Sequence, residues 1–175
     1  MDPRKRVLFY CRSKITEIMD YIPLNSYPHY QECENVASSL GYHLVELRFS
    51  KQGSTTHILA VITGDDPTVN IGVNDCSKVH HALLPKIEEI LGTDDTYMEL
   101  TSPGMERNIK NAAEFALFKG RQVRVWDKTV TDWVGGKVVS SDNASITLEV
   151  ENPDGSVEQK TVSYTDIAKA KFIHL

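Results

Sequence analysis

The spacing of apolar residues predicts helices and strands in a definite order. Cys33, Val36, Ala37 and Leu40 fall at i, i+3, i+4 and i+7, which is one face of a helix. Gly41 stands just past them, where a C-terminal cap belongs. A strand follows from Tyr42 to Ser50, with Val45, Leu47 and Phe49 on one face, and Lys51 to Ser54 reads as a hairpin-like turn. Ile58 to Ile62 is apolar on both faces, the pattern of a central strand. Val79, Leu83, Ile87, Ile90 and Leu91 mark a second helix. Asn74 is expected to cap its start, with Asp75 beside the positive end of its dipole, and Gly92 to close it. Pro85 lies inside this stripe and is expected to kink or split the helix. Met98 and Leu100 share one face of a short third strand. Two helices on one face of a three-stranded sheet are the compact solution for this α-β-β-α-β order.

That third strand stops at Ser102-Pro103-Gly104, because proline fixes φ and cannot donate to a ladder while glycine admits positive φ. The pattern then changes. Asn111 and Glu114 resemble a capping box opening a short helix, Ala112 to Phe118, with Phe115 and Phe118 as its buried pair. Short strands follow at close spacing. Val123 and Val125 lie in the first, and Val134, Val138 and Val139 flank Gly135-Gly136 in the second. That glycine pair suggests a bulge or bend. Ile146, Leu148 and Val150 alternate, Asn152-Pro153-Asp154-Gly155 is a hairpin turn, and Val157 and Val162 continue the pattern. Tyr164 to Ile167 reads as one helical turn before a last strand. Five short strands in so few residues leave open edges unless they close, which predicts a small β-barrel of SH3 or Sm type. The fold class is therefore α+β, with Ser102, Pro103 and Gly104 as the joint. Residues 29–105 form the α/β domain and residues 106–175 the barrel domain.

Residues 1–28 read as an N-terminal extension. Ile15, Ile18, Met19 and Ile22 have roughly helical spacing, Pro23 would end that helix, and Pro23 to Pro28 reads as a linker. The segment is basic, either as a plain arm or as one that touches RNA.

Charge divides the chain at the same joint. The net charge of −5 is the sum of +2 over residues 1–28, −7 over residues 29–105 and 0 over residues 106–175. An acidic half suits a basic protein partner better than bare nucleic acid, or serves solubility alone. No apolar run nears the ~20 residues that span a bilayer. Val7 to Cys11 is too short for a signal-peptide core, and three cysteines do not make a disulfide framework. A cytoplasmic, monomeric protein is expected, with no membrane partner.

Candidate chemistry is sparse. Phosphate-binding GxxxxGK[ST], GxGxxG, HExxH and GxSxG are all missing, and the adjacent acidic pairs read as solvated faces, so no enzyme is expected. His29 with Cys33 and Cys76 with His80 have helical ligand spacing. Cys33 lies on an apolar stripe, however, and no metal or cofactor is expected. Binding is the better reading. Arg107, Lys110, Lys119, Arg121 and Arg124 cluster just after the joint as candidate partner or RNA contacts. Arg107 reads equally as a bridge between the domains through a carboxylate or the carbonyls of the turn. Trp126 and Trp133 read first as core or hairpin packing and second as stacking surfaces.

Leu100-Thr101-Ser102-Pro103-Gly104-Met105-Glu106-Arg107, Gly41 to Leu47, Gly72 to Cys76, Phe118 to Val123 and Asp166 to Ala170 together resemble the bacterial ribosome maturation factor RimP family. The resemblance covers roughly residues 30–175. Asn108 stands where the family usually has proline, His80-His81 where it has Ser-Arg, and residues 1–28 have no counterpart. The resemblance implies an α/β domain followed by an SH3-like barrel. It further implies a non-catalytic factor for assembly of the small (30S) ribosomal subunit, binding the immature subunit, a basic ribosomal protein near the decoding centre, and rRNA. A general RNA-binding module of Sm or SH3 type is the alternative.

Overall fold

The computed structural model describes residues 18–173. It contains two sheets. The first has strands β1 (Tyr42–Gln52), β2 (Thr55–Gly64) and β3 (Thr96–Thr101) in the order β1-β2-β3. β1 and β2 are antiparallel, joined at the two-residue turn Gly53-Ser54. β3 returns parallel to β2 after helix α2 (Val73–Leu91). Helix α1 (Tyr30–Ser39) precedes β1. Tyr30, Cys33 and Ala37 of α1 and Val79, Leu83 and Ile87 of α2 share one core with Leu47, Ile58, Ala60, Ile62 and Met98 of the sheet. Both helices thus lie on one face, as the periodicity predicts, and β2 is the central strand.

Three details differ from the sequence reading. Helix α2 is capped by Gly72, not Asn74; Asp75 Oδ2 accepts from the Gly72 N–H at 2.8 Å. A carboxylate at the third helical position reaches back to the cap, so the acid matters more than the Asn. Of the kink or split expected at Pro85, the split does not occur, and the helix runs on through it. Finally, Val45 does not share a face with Leu47. The ladder shifts between Leu44 and Glu46, so Val45 is the extra residue of a β-bulge. Leu44 and Leu47 stay in the helix-side core while Val45 joins the other one.

The second sheet has strands β4 (Asn108–Ile109), β5 (Gln122–Asp127), β6 (Asp132–Ser141), β7 (Ser145–Glu151), β8 (Val157–Ser163) and β9 (Ile167–Phe172). Their order is β4-β9-β5-β6-β7-β8, antiparallel at every ladder. The segment Ala112–Phe118 is a 3-10 helix. Its Phe115 and Phe118 are fully buried, with Phe115 stacked on Tyr164 and Phe118 edge-on to Phe172 at 4.7 Å between centroids. All six strands send side chains into this one core. Among the described residues no ladder joins β4 to β8.

Gly135-Gly136 is not a bulge: β6 pairs straight through it, and the shift falls later, between Val138 and Ser140. A Cβ on Gly136 would stand 2.5 Å from the Glu149 carbonyl oxygen, so close backbone approach is what requires glycine there.

Residues 18–23 carry no helix, against the expectation from Ile18, Met19 and Ile22; Ile15 and the basic run Arg4-Lys5-Arg6 lie outside the described residues. Instead the segment runs along the second sheet. Met19 N–H donates to Ile167 O at 3.0 Å, and Ala112 N–H donates to Asp20 O at 2.9 Å. Residues 23–28 contain a 3-10 turn, Leu24–Ser26, and Leu24 and Tyr27 pack on the first core.

Gly136→Ala is expected to destabilise the protein by about 1–3 kcal/mol through forced backbone movement. Gly135→Ala should cost less, because its nearest neighbour is the flexible tip of Ile173. Thermal unfolding of the two variants checks the order.

Candidate functional site

The stretch between β3 and β4 carries the link between the two sheets. Gly104 sits at φ 74°, a left-handed conformation that glycine admits at little cost. Ser102, Pro103 and Gly104 line a cleft of about 190 Å³ with Ile71, Met105 and Arg121. Three residues on, Arg107 enters the space between the sheets, its side chain only 10% exposed. Its Nη2 donates to Glu46 Oε2 at 2.9 Å, and its Nε donates to Glu114 Oε2 at 2.9 Å. A second bond joins Nη2 to Glu114 Oε1 at 3.2 Å, so the Glu114 pair is bidentate.

The β1 bulge places Glu46. Glu46 pairs across the ladder with Val61, which faces the second core, and so Glu46 points to the same side. In an unbroken strand Glu46 would share the face of Leu44, among the helices. Helix α1 fixes the start of the bulge: Glu34 Oε2 accepts from Leu44 N–H at 2.7 Å, and Tyr30 hydroxyl donates to Leu44 O at 2.6 Å. Glu34 also meets His43 Nδ1 at 2.7 Å.

Burial pushes the Glu46 carboxyl up, but the hydrogen bond and charge of Arg107, with Arg48 and Lys110 nearby, outweigh it and hold Glu46 below the usual carboxylate range. Burial dominates at Glu114, which is held above that range despite Arg107, with Glu46 adding to the rise. One guanidinium serving two carboxylates explains the difference, since Glu114 is the more enclosed and Glu46 has other cations.

Arg121 is a second cross-link. Its Nη1 donates to the Pro67 carbonyl at 2.7 Å, in the loop after β2, and its guanidinium lies 4.5 Å over the Phe172 ring. Burial lowers its pKa. Asn111 ties down the N-terminal segment: its Oδ1 accepts from Ile22 N–H and from Ala113 N–H, and its Nδ2 donates to Ile22 O at 2.7 Å.

The five candidate cations therefore separate. Arg107 and Arg121 lie in the junction. Lys110 is exposed at its rim and lines a cleft with Glu46 and Glu114. Lys119 is exposed at the end of the 3-10 helix. Arg124 lies on the outward face of β5, over the ring of Trp133 at 4.8 Å. Trp126 and Trp133 oppose each other across the β5–β6 ladder, ring edge to ring face at 5.6 Å, as a half-buried hairpin pair. Of the candidate zinc ligands, Cys33 is buried in the first core and His80 Nε2 meets the Met98 carbonyl at 3.2 Å. Among the described residues no group of three metal-ligating side chains converges, and no helix is long and apolar enough to cross a membrane.

Residues 32–106 match the family model of the RimP N-terminal domain. The chain is also 27% identical over 143 residues to a protein of Borrelia hermsii (strain HS1 / DAH) named ribosome maturation factor RimP, covering 81% of this chain and 92% of that one. The chain is similar to RimP, in its N-terminal domain and over most of its length. The N-terminal domain match ends at Glu106, one residue before the arginine that joins the sheets. The relative's similarity, at 81% of the chain, is too long to be confined to the first sheet.

Sequence reasoning missed Glu46 as a partner of Arg107, read Glu114 only as part of a capping box, and passed over Lys169 and Lys171, which the β5–β9 ladder sets opposite Trp126 and Arg124. The first two had a readable signal. Glu46 interrupts the apolar run Leu44-Val45-Leu47, and Glu114 stands among Ala112, Ala113 and Phe115. A carboxylate in such a run must find a cation. Lys169 and Lys171 alternate with Ala170 and Phe172, the mark of an outward face on a half-buried strand.

Arg107→Ala leaves two buried carboxylates facing each other and is expected to cost about 3–5 kcal/mol. Adding Glu114→Gln should recover a measurable part; if the double variant is no more stable than the single one, the carboxylate pair is not the source of the loss. The pH dependence has a definite sign. With its folded pKa above the unfolded value near ~4.3, Glu114 contributes stability at low pH that is lost as pH rises through the raised value. Melting temperatures of wild type and Glu114→Gln between about pH 4 and 7 should diverge in that direction.

Proposed function

We propose that this protein is a ribosome maturation factor that acts in the cytoplasm on the small (30S) subunit, by binding the immature particle and without catalysis. The observation that carries the reading is the similarity to RimP over 81% of the chain, which is too long to be a shared module alone. In this reading residues 29–105 are one domain, residues 106–175 are a second, and the second folds as a small barrel of SH3 type. The convergence of all six of its strands on a core around Phe115 and Phe118 supports that form. The protein works as a monomer.

The charge distribution supports a choice of partners. Residues 29–105 hold four Lys/Arg against eleven Asp/Glu. Such a surface attracts a basic ribosomal protein, near the decoding centre, and repels bare phosphate. The second domain is neutral overall and meets rRNA, the same protein, or both. Ser102, Pro103, Gly104 and Arg107 set the angle between the two surfaces, while Lys110, Lys119 and Arg124 remain open to contact. A general RNA-binding module is the rival, favoured by the cations and tryptophans on the outer face of β5.

The protein should co-sediment with small subunits from cells at low salt and leave them as salt rises. Absence from those fractions, or equal affinity for unrelated RNA, favours the rival. Weakened binding by Arg107→Ala, measured below the variant's melting temperature, is expected from loss of the fixed angle.

A further inference from the structure

We infer that the outward face of β9, β5 and β6 binds single-stranded RNA, with Arg124 and Lys171 on a phosphate and Trp126 and Trp133 beside a base. This inference rests on the reading of the chain as an RNA-contacting assembly factor and gives that contact a place.

The register builds the site. Lys171, Arg124 and Gly135 lie abreast across the three strands, and Lys169, Trp126 and Trp133 form the next outward row. Their neighbours Val123, Val125, Ala170 and Phe172 point into the core, so all these side chains share the outer face. Lys171 and Arg124 are like charges directly opposite on paired strands, an arrangement that destabilises a sheet unless an anion compensates it. Among the described residues none does. Lys137 pairs with Glu149 at 2.7 Å and Lys160 with Asp127 at 3.3 Å, whereas Arg124, Lys169 and Lys171 have no ion-pair partner among the described residues.

Both cations are gathered on one ring. The Arg124 guanidinium is 4.8 Å, and Lys171 Nζ 5.6 Å, from the Trp133 centroid. Arg124 Nε is shut off from water and has no acceptor, which leaves hydrogen bonding to the outer nitrogens of the fork. They line a cleft of about 320 Å³ with Asn108, Glu106, Phe172 and Ile173. A phosphate entering it would compensate the cation pair and meet a planar fork suited to two oxygens.

Two indoles one row along distinguish RNA from an acidic peptide. A peptide carboxylate satisfies the cations but makes no use of the rings, whereas a single strand offers a phosphate and an unstacked base together. Glu106 lines the same cleft and opposes any anion, which makes it an internal control.

The test uses the full chain and a labelled oligouridylate of about ten nucleotides, within the site size of a small β-domain. Wild type should bind with a change in tryptophan fluorescence. Arg124→Gln/Lys171→Gln should weaken binding about tenfold or more, and lower the salt slope by about 0.7, the value for one lost phosphate contact on a single strand. Lys169→Gln/Lys171→Gln, which spares the packed arginine, should weaken it in the same direction, with thermal unfolding confirming both folds. Glu106→Gln should tighten it. Failure of wild type to bind the oligonucleotide, unchanged binding by both double variants, or equally tight binding of polyglutamate overturns the site. A wild type that co-sediments with small subunits yet ignores the oligonucleotide sinks this site alone. One that binds the oligonucleotide yet never meets the subunit sinks the family-based reading instead.

Discussion

A single buried guanidinium with two carboxylates, one from β1 and one from the 3-10 helix of the second core, is the constraint around which the molecule is arranged. Removing three charges from water costs several kcal/mol per ion, and the Coulomb gain offsets this only when geometry is close to ideal. Arg107 supplies that geometry with a bidentate pair to Glu114 and a further bond to Glu46. The requirement reaches back into β1. Glu46 faces Arg107 only because the strand takes an extra residue at Val45, and that bulge is held from the other side by Tyr30 and Glu34 of α1. A helix in the first layer thus governs a salt bridge between the sheets.

The same constraint sorts the basic residues. A cluster of cations close in sequence looks like one binding patch, but proximity in sequence does not fix direction. Arg107 and Arg121 are turned inward because they meet, respectively, a carboxylate pair from β1 and the 3-10 helix and a carbonyl in the loop after β2. Arg124, on a strand between inward Val123 and Val125, is turned outward by the pleat. Its charged neighbours come from the far end of the chain, on β9, and only the ladder brings Lys171 beside it.

Periodicity is a local signal, which explains what was legible in the sequence. The helical stripes, the central position of β2, the cap at Asn111 and the Phe115–Phe118 pair were all readable, because each depends on residues a few positions apart. The Val45 bulge was not, since nothing in Leu44-Val45-Glu46-Leu47 says which of two cores each residue meets. Gly135-Gly136 reads as a bulge or bend for a similar reason, and the need for glycine at Gly136 is not local. Its cause is the Glu149 backbone, thirteen residues on and across a ladder. The N-terminal segment failed differently: Ile18, Met19 and Ile22 carry helical spacing, but Met19 docks at Ile167 and the backbone of Ile22 bonds Asn111, so tertiary contacts override a short local preference. In the site, the junction was legible as a break at Ser102-Pro103-Gly104 and Glu46 and Glu114 as carboxylates in apolar runs, but nothing local paired both of them with Arg107.

Several kinds of contact cross the junction: the Arg107 ion triad, the Arg121–Pro67 bond, and the apolar contact of Val45 and Val61 with the second core. They differ in how salt acts on them. Ionic attraction between exposed charges weakens as ionic strength rises, whereas a buried ion triad and apolar burial are screened far less. The angle between the sheets is therefore set by the interactions least sensitive to salt, and the outward charged faces by those most sensitive to it. A protein built this way can release a highly charged partner as ionic conditions change without losing its own shape. This division is expected where binding must be reversible and the presentation of two surfaces must stay fixed.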